Sequence, residues 1–184
     1  MDNGASSYRR FLDGDDNGFV EIIKDYKDGL ILYINNFTEN IYTSEDLAED
    51  TFVKIITRKP RFSGKSSFKT WLYAIGRNVA LDYLRRNRVQ VVSSEETAEI
   101  KEEQTSLEAQ YIQKENAQEL RKALDKLSPQ YKQVLWLVYF ENFSNQETAV
   151  VLKKSVRNVE TLLYRAKQSL KSELNKEGFV YEKL

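Results

Sequence analysis

Phe19, Ile22, Ile23, Tyr26, Leu30, Tyr33, Ile34 and Phe37 recur at steps dominated by three and four residues. An α-helix turns once in about 3.6 residues, so this spacing lines the side chains along one face that must be buried, whereas a strand would divide them between two faces. The pattern predicts one long amphipathic helix, entered through the acidic, glycine-containing stretch LDGDDNG, which reads as a loose start. Residues 1–17 are therefore expected to be an N-terminal tail. Helical spacing returns along most of the chain and strand signals are nearly absent, so the expected class is all-α.

A second helix is read in TSEDLAEDTFVKIIT, with Ser44 as cap and Glu45 and Asp46 at the positive end of the helix dipole. Leu47, Phe52, Ile55 and Ile56 are expected to face the core. Pro60 and Gly64 interrupt the pattern and leave a short basic loop, RKPRFSGKSS. Ser66 or Ser67 then caps a third helix, whose expected buried stripe is Phe68, Leu72, Ile75, Val79 and Tyr83. Trp71, Tyr73, Arg77 and Asn78 fall at other angles. From Val91 to about Glu108 the chain is acidic and poor in apolar residues, the composition of a tether that cannot bury enough surface to order itself. Helix resumes near Gln110 to Leu127. Another helix opens at Ser128, with Pro129 at the first helical position, where its missing N–H costs nothing.

Among the 184 residues there is no cysteine and no histidine. Disulfides, thiolate nucleophiles, imidazole bases and the usual zinc ligands are thereby excluded, and no nucleophile elbow, phosphate-binding glycine loop or calcium loop occurs. An enzyme is not expected, nor is a cofactor or a metal. No apolar run approaches the roughly 20 residues of a membrane span, and the first residues lack the apolar core of a signal peptide, so the expected location is the cytoplasm.

The zero net charge hides blocks of opposite sign. Residues 1–52 hold 4 basic and 12 acidic residues, net −8, and residues 53–90 hold 10 and 1, net +9. Residues 91–120 hold 2 and 8, net −6, and residues 121–184 hold 12 and 7, net +5. A dense positive block interleaved with aromatic rings, as in FSGKSSFKTWLYAIGRNVALDYLRR, is the footprint of a partner that offers phosphates and bases. A single charge run is equally compatible with a solvated helix face.

Near the C-terminus, Ser144 and Glu147 form a capping-box pattern at the head of a short helix, Asn145 to Leu152. After the connection KKS, Val159, Leu163, Ala166 and Leu170 repeat at four, three and four residues. Two helices of this kind, with small Ala149 on the inner face, fit a helix-turn-helix whose second helix would enter a major groove.

EDLAEDTFVKI, FSGKSSFKTWLYAIGRNVALDYLRR, LDKLSPQYKQVL and NVETLLYRAKQSL, in this order and spacing, resemble a bacterial RNA polymerase sigma factor of the extracytoplasmic-function (ECF) group. The resemblance covers roughly residues 18–90 and 117–175. It implies two small helical domains: sigma region 2 at residues 18–90 and a region 4 helix-turn-helix at 117–176. They would be joined by an acidic linker at 91–116 and followed by a tail at 177–184. It further implies a protein that binds the polymerase core, directs it to promoters and helps to melt the DNA. An anti-sigma protein is a frequent further partner in the family.

Carried over residue by residue, the resemblance puts the polymerase clamp on Asp46, Leu47, Glu49, Asp50 and Phe52. The minus-ten element falls to Lys65, Lys69, Trp71, Tyr73, Arg77, Asn78, Arg85 and Arg86, with Asn78 the preferred base reader. The minus-thirty-five element falls to Lys154, Arg157, Asn158, Thr161, Tyr164 and Arg165. Trp71 and Phe52 each have a second reading, as core residues. Glu45 with Glu49 and Asp46 with Asp50 place like charges one helical turn apart, a cost of a few tenths of a kcal/mol per pair until a basic partner arrives.

The chain departs from the family at Glu49 and Asp50, at Lys153, where the turn usually has glycine, and at Glu160 and Leu162, where basic residues are common. Two other classes stay open. A helix-turn-helix regulator acting without polymerase would account for the C-terminal half but not for the basic aromatic helix. A protein-binding adaptor would account for the acidic face but not for the +9 block.

Overall fold

The computed structural model describes the backbone of residues 3–91 and 117–176, with side chains for 3–87 and 120–176. Apart from Val91, the expected linker lies outside the described residues, as does the expected C-terminal tail. All regular structure among the described residues is helical. The chain divides into two compact units, one built by the N-terminal helices and one by the C-terminal helices.

The first unit holds α1 (Asn3–Leu12), α2 (Asp16–Thr38), α3 (Ile41–Arg58) and α4 (Phe68–Val91). α2 is its axis and packs against the other three, while α4 also packs on α3 and α1. Ile22, Leu30, Tyr33, Ile34 and Phe37 of α2 are buried, in line with their spacing, whereas Ile23 and Tyr26 are half-buried.

α1 corrects the expectation of an N-terminal tail. Two of its large apolar residues, Tyr8 and Phe11, are 1% and 3% exposed while Leu12 faces outward, and burial of such side chains contributes about 1.5–3 kcal/mol each. Small residues let the helix sit close: a Cβ on Gly18 of α2 would collide with the Ser7 carbonyl and lie 2.9 Å from the Phe11 nitrogen. Polar groups clip the pair together at the surface. Arg10 reaches Asp15 at 2.6 Å and Glu21 at 2.9 Å, and the Ser7 hydroxyl donates to Glu21 at 2.7 Å. The start of α2 is likewise defined, with Asp15 as N-cap accepting from the Asn17 N–H.

α3 begins four residues earlier than the sequence pattern predicts. Asn40, not Ser44, is the N-cap, and its side chain accepts from the Thr43 N–H at 3.0 Å. Ser44 lies inside the first turn, where its Oγ is 2.7 Å from both the Asn40 carbonyl and the Thr38 hydroxyl. Ile56, expected in the core, is 39% exposed.

In α4 the buried stripe is rotated from the expected one. Phe68, Leu72, Tyr73, Gly76 and Ala80 are buried, while Ile75, Val79 and Tyr83 are only half-buried. Gly76 explains the rotation: a Cβ there would stand 2.7 Å from Leu30 Cδ1, so its bare backbone is what α2 presses against.

The second unit holds α5 (Ala117–Asp125), α6 (Pro129–Leu135), a π-helical turn (Trp136–Phe140), α7 (Asn145–Leu152) and α8 (Val156–Lys176). Ser128 and Pro129 stand at the N-cap and first turn of α6 as read from the sequence, although the Ser128 side chain makes no capping bond. α8 packs on α6 and α5, burying Val159, Ala166 and Leu174. Leu163 and Leu170 are half-buried.

Candidate nucleic-acid interface

The connection from α3 to α4 is fixed at both ends. Lys59 closes α3 in the left-handed region, at φ 43, with its N–H on the Ile55 carbonyl. At the far end Ser67 accepts the Thr70 N–H on its Oγ at 3.2 Å, so of the two candidate caps it is Ser67 that starts α4. Between them Arg61 and Lys65 are exposed, and the Phe62 ring leans on Phe68 and Trp71, with ring centroids 5.7 and 5.4 Å away.

The outward face of α4 begins with Trp71 and continues through Ala74, Asn78, Asp82 and Arg85, at steps of three and four opposite the buried stripe. Trp71 packs within the unit, as its second reading expects. It is half-exposed, yet its ring touches Tyr8, Phe62 and Phe68. Asn78 is half-buried, and Arg85 and Arg86 are exposed. Arg86 lies off this face and donates back to the Asp82 carbonyl, while Arg85 pairs loosely with Asp82 at 3.5 Å.

Tyr73 has to be removed from the set of base-stacking rings. It is 1% exposed and packs on Tyr33 at 5.3 Å, so stacking on a base would require the domain to open. Lys69 lies over its ring at 5.6 Å, a cation–π contact. Arg77 is also turned partly inward. Its Nε is buried without a hydrogen-bond partner, as is the hydroxyl of fully buried Tyr33. Burial pushes the Tyr33 phenol above its ordinary range, against the smaller opposing pull of the Arg77 charge.

On α3 the acidic residues and the core residues separate cleanly. Asp46, Glu49 and Asp50 are exposed. Leu47 and Phe52 are 4% and 5% exposed, and Phe52 meets Phe19 edge-on at 6.3 Å. These two are core residues, which corrects their placement on the polymerase-facing surface. Sequence reading missed the exposed apolar residues that share the acidic stripe: Tyr42, Val53 and Ile56 are 62%, 48% and 39% exposed. With Asp46 and Glu49 they follow one another at four, three, four and three residues, a signal present in the sequence.

In the second unit the capping box forms as read. The Ser144 N–H donates to Glu147 at 3.0 Å and the Glu147 N–H to Ser144 Oγ at 3.2 Å. Ser155 caps α8 by accepting the Asn158 N–H. Lys154, Arg157, Asn158, Thr161, Tyr164 and Arg165 are all exposed, with Tyr164 65% so, and those on α8 lie opposite buried Val159 and Ala166. Glu160 is exposed among them, and Leu162 is half-buried.

Two family models match in sequence order: Sigma-70 region 2 over residues 22–89 and Sigma-70, region 4 over residues 117–170. The chain belongs to the sigma-70 family. RNA polymerase sigma factor YlaC of Bacillus subtilis is 31% identical over 158 residues, spanning 85% of this chain and 91% of that protein. ECF RNA polymerase sigma factor SigX of the same organism is 28% identical over 154 residues, spanning 81% and 79%. The fold is shared with the sigma factor RpoE, crystallised with the anti-sigma factor NepR from Bartonella quintana. Its TM-score is 0.69 at 22% identity, covering 85% of this chain and 96% of that one.

This sigma factor is of the ECF group, which binds the RNA polymerase core and directs promoter-specific initiation. Promoter DNA and polymerase core are its partners, and sigma factors regulate initiation without catalysing a reaction of their own. No helix among the described residues is long and apolar enough to cross a membrane.

Proposed function

We propose that this sigma factor divides its work among three surfaces. The stripe of α3 carrying Asp46, Glu49 and Asp50, bordered by Tyr42, Val53 and Ile56, docks on the polymerase clamp. The basic loop 59–67 and the outer face of α4, with Trp71, Asn78 and Arg85, receive the minus-ten element and help to open it. Lys154, Arg157, Asn158, Thr161, Tyr164 and Arg165 read the minus-thirty-five element as duplex. Lys65, Lys69 and Arg86 supply charge near the opened strand. Region 2 is taken to include α1 and to extend through residue 91, with region 4 from 117 and the acidic tether between them.

The observation that carries this reading is the segregation of charge onto different helices. An acidic, part-apolar face on α3, a basic loop 59–67 leading into α4 and a basic face on α8 suit two kinds of partner, a basic protein surface and a polyanion. Major-groove edges are legible in a closed duplex, whereas a base's pairing edge is available only after unstacking. Placing duplex reading on α8 and opened DNA on the loop follows from that difference. The protein would act in the cytoplasm, beside the polymerase. An anti-sigma protein would be a further partner, because the structurally similar RpoE and CnrH were solved with the anti-sigma factor NepR and with the cytosolic domain of CnrY.

Reversing Asp46, Glu49 and Asp50 to lysine tests the docking face. Exposed substitutions rarely alter stability much, so the triple variant should keep its melting temperature while losing core binding and polymerase-dependent transcription. Core binding at the unmodified level would remove this assignment. Specific promoter retention by the free chain, equal to that with core, would favour a regulator that acts without polymerase.

A further inference from the structure

The loop taken to receive the opened minus-ten strand is braced from outside its own two helices. The Tyr8 hydroxyl of α1 donates to the Pro60 carbonyl at 2.8 Å, one residue beyond the left-handed turn at Lys59. The same ring lies 5.3 Å from Trp71 and 5.5 Å from Phe68, and both of those rings meet Phe62 within the loop. Tyr8 is 1% exposed, and burial raises its phenol pKa, so the group stays an O–H donor at any pH at which the protein works. α1 is itself held to α2 by Arg10, Ser7 and Glu21, so the brace is anchored away from the loop.

We propose that Tyr8 is a positioning residue for promoter opening: through the Pro60 carbonyl and the Phe62–Trp71 ring cluster, α1 holds loop 59–67 in the shape that accepts an unstacked base. The proposal rests on the reading of that loop as the minus-ten contact. A loop that must receive a splayed base gains by being ordered beforehand, because ordering it during melting adds its conformational entropy to the cost of separating the strands. Tyr8 supplies that order without touching DNA.

Tyr8→Phe in the full chain keeps the ring and removes only the hydroxyl. With core polymerase, run-off transcription and permanganate reactivity of promoter thymines are measured on a closed duplex and on a premelted bubble, alongside core affinity and thermal melting. One hydrogen bond corresponds to about a three- to tenfold change, so the duplex signals should fall by about that factor while the bubble restores transcription and core affinity is unchanged. A merely structural role would lower both templates alike, and that outcome, or wild-type behaviour on both, overturns the proposal. Lys65→Ala, inside the loop, separates the two layers of inference. If Lys65→Ala shows the duplex-selective defect and Tyr8→Phe does not, the loop reading stands and the brace is wrong. If Lys65→Ala matches wild type on both templates, the loop reading falls and the proposal with it.

Discussion

The Lys154 N–H donates to the Ala149 carbonyl at 3.0 Å across a turn in which Lys153 adopts φ 54. This six-to-one bond is the Schellman closure of a helix C-terminus, and it requires a left-handed residue at the position between. Lysine occupies this position, and the backbone takes the left-handed shape that glycine adopts at no steric cost. A side chain in the left-handed region costs about 1–2 kcal/mol, part of which glycine returns through greater freedom in the unfolded chain. Lys153→Gly should therefore stabilise the protein by about 0.5–1 kcal/mol, and Lys153→Val should destabilise it. Urea unfolding of the full chain, followed by circular dichroism, measures both; a destabilising glycine would mean that the lysine stem makes compensating contacts.

Glycines at two close helix approaches should differ in what alanine does to them. At Gly18 the added Cβ meets backbone, the Ser7 carbonyl and the Phe11 nitrogen, which cannot move without shifting α1. At Gly76 it meets the end of the Leu30 side chain at 2.7 Å, which has rotamers to use. Overpacking of this kind costs about 1–3 kcal/mol, so Gly18→Ala should lie at or above the top of that range and Gly76→Ala near the bottom. Thermal melting of the two variants gives the order, and the reverse order would contradict the close packing of α1 on α2.

α1 also marks where sequence reading stopped. Periodicity detects a helix by counting apolar residues, and NGASSYRRFL offers three large ones, Tyr8, Phe11 and Leu12, all in its second half and preceded by glycine and serines. The burial of the two rings depends on α2 and α4, a tertiary fact that no local window contains. Tyr73 was misplaced for a related reason: the stripe through Ile75, Val79 and Tyr83 has good helical spacing, but the contact at Gly76 rotates α4 toward Tyr73 and Ala80. Leu47 and Phe52 lie within a motif proposed to face a partner, but the motif spans about three turns, and its acidic members and Val53 point outward while these two point inward. By contrast, Ser144, Glu147 and the α8 face were legible because capping and helix-face geometry are decided within one or two turns.

The Arg10 cluster predicts a pH dependence in acid. The Asp15 carboxyl is held below its ordinary range mainly by the Arg10 hydrogen bond, and the Glu21 carboxyl by Ser7 first and Arg10 second. A lowered folded pKa stabilises the ionised form, so the contribution is complete above the ordinary value of 4.5 for Glu21 and is lost as pH falls through the folded value. Arg10→Gln should flatten the decline of stability below that pH and change little at neutrality with added salt, since exposed ion pairs are screened. Melting temperature against pH, compared between the two proteins, checks it; an unchanged acid slope would assign the decline to other carboxylates.

Arg165 and Asn78 should separate by the state of the DNA each one meets. Arg165 is exposed on α8 beside Thr161 and Tyr164, on the face proposed to read paired bases. Asn78 stands on the outer face of α4, in the helix that follows the basic loop, and is proposed to meet a base that has left the stack. Arg165→Ala should weaken binding to upstream duplex, by about 1–3 kcal/mol if it reads a base, and relax preference at one position. Asn78→Ala should leave that binding intact and reduce open-complex formation. A premelted bubble bypasses opening but not recruitment, so it should partly rescue Asn78→Ala and hardly affect Arg165→Ala. Transcription from matched duplex and bubble promoters, with polymerase held constant, reads both effects in one assay. Equal rescue of the two variants, or of neither, would contradict the division between α4 and α8 while leaving the family assignment untouched.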